Sequence, residues 1–168
     1  MRIGVYLEYD GNKLTASSNE MLVMAAALAG EENLTAFVAG GVSADLSKLS
    51  AAKVYVVENA VFGSELAAVI VSKAEEWNCF FSPMTLNGRE TAAYLGLLSG
   101  YETVYGVSGL QKTADGIKVT RLTAGGLTQE YKVFSSASKL ILGIVPGVWN
   151  DFSAATGNAE IEKLEAAV

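Results

Sequence analysis

Arg2-Ile3-Gly4-Val5-Tyr6-Leu7 runs directly into Glu8-Tyr9-Asp10-Gly11-Asn12. The first six residues form a short apolar run that reads as a strand, and Asp10-Gly11-Asn12 reads as a turn. Ser17-Ser18-Asn19-Glu20 then has the pattern of a capping box, Ser17 at the N-cap and Glu20 at N3. A helix is expected from there to about Ala29, stopped by Gly30. Strand, turn and capped helix together are the first half of a βαβ unit.

Outward from that stretch the alternation continues. Leu34 to Ala39 reads as a strand ending in Gly40-Gly41, and a short helix is expected near Ala44–Leu49. Lys53 to Glu58 is a third strand. Gly63-Ser64-Glu65 opens a helix whose buried face is Leu66, Val69, Ile70, Lys73 and Trp77. Asn78 to Ser82, closed by Pro83, is a fourth strand. Asn87 as N-cap and Glu90 at N3 start a helix that ends at Gly100. Such alternation specifies a parallel sheet with right-handed crossovers.

The later sequence changes character. Val104–Leu110, Ile117–Ala124, Tyr131–Ser135 and Leu140–Val145 read as strands with no room for helices between them, and Asp115-Gly116 and Gly125-Gly126 supply hairpin turns. Pro146-Gly147 ends the sheet. From Asn158 onward Ile161, Leu164 and Val168 form one stripe of a short helix. The expected fold class is α/β: a three-layer α/β/α Rossmann-like sandwich, mostly parallel, with an antiparallel portion in the C-terminal half. Residues 1–150 form the domain and 151–168 a helical tail.

Composition bounds the function. The 168 residues suit one domain, and no run approaches the roughly 18 apolar residues of a membrane helix. The formal charge of −6 comes with dispersed acids and no basic stripe, which argues against nucleic acid as a partner. The single cysteine, Cys79, excludes a disulfide framework and reads as a buried, inert thiol, so a cytoplasmic location is expected. The chain has no histidine, which removes the commonest general base and metal ligand. No catalytic set and no metal site is expected.

In doubly wound sheets ligands bind outside the carboxyl ends of strands, where the strand order reverses. If the order is 3-2-1-4, the loops meeting there are Glu8–Asp10 and Ser82–Arg89, with Gly40-Gly41 alongside. Thr85, Asn87, Gly88 and Arg89 lie at a helix N-terminus suited to an anion or a nucleotide. The plainer reading is that Thr85 and Asn87 merely cap and Arg89 pairs with solvent or with Glu90. Gly40-Gly41 and Gly125-Gly126 match neither a P-loop nor the GxGxxG fingerprint. Arg121 shares a strand face with Ile117 and Val119, which points either to a buried pair or interface or to a side chain that snorkels to water.

Several stretches, in order, resemble the electron transfer flavoprotein alpha subunit. Ile3 to Leu14, with Glu8 and Asp10-Gly11, resembles its opening strand and turn. Leu34–Gly40 and Ala52–Val57 resemble its second and third strands. Ser82 to Glu90, with Thr85, Gly88 and Arg89, resembles its Pro-Ala-Thr, Gly, basic, acidic stretch. Thr120-Arg121 through Gly125-Gly126 resembles the segment where an arginine precedes a Gly-rich turn, and Leu140–Trp149 the strand before Pro-Gly. Val145 and Tyr94 stand where the family usually has arginine. The resemblance implies an N-terminal alpha domain acting as a scaffold or partner-binding component, with Arg121, Gly125 and Gly126 at an interface. Its partner would be an electron transfer flavoprotein beta-like subunit or a second copy. FAD is implied by family association only, in a further domain that this sequence, ending at Val168, does not include; no tightly bound cofactor of its own is expected. The alternative is a stand-alone adenine-nucleotide module binding AMP or ATP through Glu8, Asp10, Gly40, Gly41, Thr85, Asn87, Gly88 and Arg89.

Overall fold

The computed structural model describes residues 1–147, 149 and 156–166, without the side chain of Glu75. Its strands are β1 (Ile3–Leu7), β2 (Tyr9–Asp10), β3 (Lys13–Leu14), β4 (Leu34–Ala39), β5 (Lys53–Glu58), β6 (Cys79–Pro83), β7 (Glu102–Lys112), β8 (Gly116–Thr123), β9 (Thr128–Ser135), β10 (Leu140–Ile144) and β11 (Glu160–Glu165). The helices are α1 (Ala16–Ala29), α2 (Gly63–Val71) and α3 (Leu86–Ser99). Nine strands form one sheet in the order β11-β5-β4-β1-β6-β10-β7-β8-β9, and β2 and β3 form a separate small hairpin. Pairing is parallel from β11 through to β7 and antiparallel between β7, β8 and β9.

Alternation along the strands divides the core in two. Ile3, Val5 and Leu7 point to one face with Ala36, Val38 and Phe81, and pack against Met21, Leu22, Met24 and Ala25 of α1. Tyr6, Phe37, Tyr55, Phe80 and Ile141 point to the other, against Leu66, Ala67 and Ile70 of α2 and Ala92 and Leu95 of α3. Each fully buried aromatic or aliphatic side chain contributes about 1.5–3 kcal/mol. Gly4 lies on the second face, where a Cβ would come within 2.6 Å of the Phe80 ring. The strands are buried on both sides, so they read as continuous apolar runs. The three-layer, mostly parallel α/β sandwich with its antiparallel end is therefore the observed fold.

Strand β7 joins the two regimes. Its first half pairs with β10 and its second with β8, and the register shifts between Val107 and Gly109. Gly106 just before the shift has a positive φ of 74°. The bend lets Ile117, Val119 and Phe134 of the β8–β9 hairpin join the core on the α1 side. Beyond Phe134, β9 is exposed along most of its length, and it has no strand on its outer side among the described residues.

Several local expectations are corrected. Helix α1 is capped by Thr15, whose hydroxyl accepts from the Ser18 N–H, and not by Ser17. Helix α3 is capped by Thr85, which accepts from the Gly88 N–H at 3.0 Å, and not by Asn87. The short helix expected near Ala44–Leu49 is a 3-10 turn over Leu46–Lys48. Helix α2 stops at Val71, and Trp77 is buried by a separate approach after a second 3-10 turn. The tail expected to be helical is strand β11, in register with all six residues of β5. Lys53 supplies a reason: its ammonium lies 3.0 Å from Glu162 and 3.7 Å from Glu160. Leu164 packs on the α2 side of the core. Val168, which completed the helical stripe, lies outside the described residues.

Candidate functional site

The strand order runs β5-β4-β1-β6, so the reversal falls between β1 and β6, beside the loops anticipated for it. A cavity of about 490 Å³ opens there, lined by Tyr6 to Tyr9, Thr15, Val38 to Gly40, Val42 and Thr85 to Asn87. It thus brings together Glu8, Gly40, Thr85 and Asn87 of the anticipated residues.

Glu8 is the centre of the arrangement. It follows β1, and its half-buried carboxylate accepts from the Thr85 hydroxyl at 2.8 Å, joining the ends of β1 and β6. Its backbone N–H donates to Ser18 Oγ at 2.8 Å, and its carbonyl accepts from the Thr15 N–H at 3.0 Å. Burial raises the Glu8 pKa above the ordinary carboxylate range, and the Thr85 bond partly offsets it. The Thr85 hydroxyl faces two ways, donating to Glu8 while accepting from the Gly88 N–H. Tyr6, beneath the cavity, is also pushed up, by burial first and by Glu8 second.

Gly88 does not line the cavity but fixes its edge. It is buried in the first turn of α3, where a Cβ would lie 2.0 Å from the Pro83 carbonyl oxygen. Ser82 Oγ donates to the Gly88 carbonyl at 2.7 Å, clamping the helix start to the strand end. Gly40 is similarly close-packed, a Cβ there meeting Glu58 Oε2 at 2.6 Å, and its N–H donates to the Val57 carbonyl. Gly41 has a φ of +86° with open space beside it. Thr15 and Ser18 belong to the arrangement too. A run of residues that can all cap a helix hides them in the sequence, because the capping pattern reads two residues too late.

Other anticipated residues lie outside the cavity. Asp10 is exposed on the β2–β3 hairpin. The neighbouring Asn12 side chain accepts from the Ser43 N–H at 3.2 Å, tying that hairpin to the loop after Gly41. Arg89 is exposed on α3 and forms no ion pair with Glu90. Among the described residues, the lining therefore carries one carboxylate and no lysine or arginine. A pyrophosphate placed there would meet no side-chain cation, only the N-terminus of α3.

Arg121 lies at the far end of the sheet. It is paired with Glu130 across β8 and β9, which stand directly opposite in register. The pair is half-exposed at the rim of a second cavity of about 430 Å³, where Lys132 also reaches Glu102 at 2.6 Å. Gly125 and Gly126 adopt φ of +67° and +90° in the turn between these strands. Cys79 is 2% exposed, and burial pushes its thiol pKa up, so it is inert in the native fold. Among the described residues, no cluster of acids and Cys79 could hold a metal, and no helix is long and apolar enough to cross a membrane.

No curated protein matches the sequence. The family model described as the electron transfer flavoprotein domain matches residues 3–168, nearly end to end. With the doubly wound sheet and the β1/β6 crevice in place, the chain belongs to the electron transfer flavoprotein domain family.

Proposed function

We propose that this chain is an alpha-subunit-related scaffold and partner-binding component of a flavin-dependent electron-transfer system, and that it holds no flavin of its own. The observation that carries the reading is the state of the crevice. Its carboxylate and the Thr85 hydroxyl are engaged in joining elements: Thr85 to Glu8 and Gly88, with Ser18 behind them on the Glu8 N–H. A scaffold needs its strand ends locked, whereas a cofactor site needs donors aimed outward. The redox chemistry then belongs to a flavin held by another polypeptide or domain, with this chain supplying position. A beta-like subunit or a second copy is the partner, in the cytoplasm. Equilibrium dialysis against FAD tests the point: no retention at micromolar concentrations is expected, and one flavin held per chain would overturn it.

A second reading is favoured by one feature, the 490 Å³ volume at the switch point, which falls within the range of small-molecule sites. The ligand would be AMP, its ribose hydroxyls donating to Glu8; ATP fits less well, because the lining holds no lysine or arginine among the described residues. Titration calorimetry with AMP and ATP decides it. No heat with either removes this reading.

A further inference from the structure

We propose that the chain forms a symmetric homodimer by antiparallel pairing of β9 with β9 of a second copy, centred on Tyr131. This inference rests on the partner-binding side of the proposed function and gives it a surface and a register. Strand β9 is the terminal strand of the nine-stranded sheet and is eight residues long. Its outer backbone groups are unpaired by any neighbouring strand among the described residues, and such an edge is a template for another strand. Apolar side chains stand on it and at its start: Tyr131 and Val133 are 69% and 55% exposed, and Leu127, just before the strand, 88%.

Symmetry restricts the register. When a strand pairs antiparallel with its own copy, one residue must stand opposite itself, because residues with outward N–H and C=O groups pair only with others of the same kind. Centring on Glu130 sets two carboxylates face to face. Centring on Lys132 does the same with two ammonium groups. Centring on Tyr131 sets Glu130 of each copy opposite Lys132 of the other, twice. Glu130 is already paired with Arg121 and Lys132 with Glu102. The line across the dimer then reads Glu102, Lys132, Glu130, Arg121, with the sign alternating at every step. The sequence of β9 thus favours one self-pairing and penalises its two neighbours.

Sedimentation of the full chain over a range of concentrations tests this. A reversible dimer is expected. Glu130→Lys or Lys132→Glu alone places like charges opposite at both sites, and each should weaken dimerisation by about ten-fold. The double reversal E130K/K132E restores opposite charges across the axis and should recover most of the affinity. Within one chain, however, the same double reversal sets an ammonium group beside Arg121 and a carboxylate beside Glu102. A purely internal role therefore predicts that the double variant is worse than either single one, and that result would overturn the proposal. A wild-type monomer at high concentration would overturn it too, as would a dimer indifferent to both reversals. Should a variant misfold, amide exchange of the wild type still decides: protection in Thr128–Ser135 must rise with protein concentration. None of these outcomes bears on flavin retention, so the dimer and the scaffold reading fail separately.

Discussion

At the scale of single residues, close approach explains more than motif. Gly88 looks in the sequence like part of an anion-binding helix start, yet its evident task is to let α3 leave β6 without striking the Pro83 carbonyl. Gly88→Ala should cost about 1–3 kcal/mol in urea unfolding, as overpacking does. Thr85→Val removes both the cap of α3 and the bond to Glu8, and a loss of about 1–2 kcal/mol is expected by the same measurement. Glu8 behaves differently. Its folded pKa is raised, so the folded state holds the proton more tightly than the unfolded one. Its contribution to stability is thus present below the ordinary carboxylate range and lost as pH rises through the folded value. Glu8→Gln should raise Tm relative to wild type at neutral pH, with the difference vanishing below about pH 4. A difference that grows toward acid would contradict the desolvation argument.

At the scale of elements, the sequence is legible where a pattern is long and opaque where several residues can do one job. Strands β1, β4, β5, β6 and β10 are mostly apolar runs, as burial on both faces requires. The helix starts are ambiguous in the sequence because Thr15, Ser17 and Ser18, and again Thr85 and Asn87, can all cap. Tertiary bonds choose among them: Thr15 N–H to the Glu8 carbonyl for α1, and Met84 N–H to the Ile144 carbonyl for α3. Glu20, expected to close a capping box, is 6% exposed and instead accepts from the N–H groups of Gly147 and Trp149. The tail shows the limit of periodicity, since Ile161 and Leu164 fit a helical stripe over so short a span. What decides it is the open edge of β5 and the Lys53 charge waiting for Glu160 and Glu162. Leu164→Asp should detach β11, costing about 1–3 kcal/mol. Amide exchange would then rise in Glu160–Glu165 and along the outer side of Lys53–Glu58.

At the scale of the whole molecule, the architecture and the chemistry point the same way. A doubly wound sheet normally offers its switch point to a ligand. Here that point is bridged by Thr85 and Glu8 and, among the described residues, lined without a lysine or arginine. The absence of histidine is legible at once from composition; that the crevice is latched is not, because it depends on which hydroxyl reaches which carboxylate. The family match over residues 3–168 supplies the electron-transfer setting in which the proposed scaffold role is placed. The most direct measurement is the visible absorbance spectrum of the protein as isolated. A colourless protein, with no flavin band above a small fraction of one per chain, is the predicted result. A yellow protein with stoichiometric flavin would contradict the account.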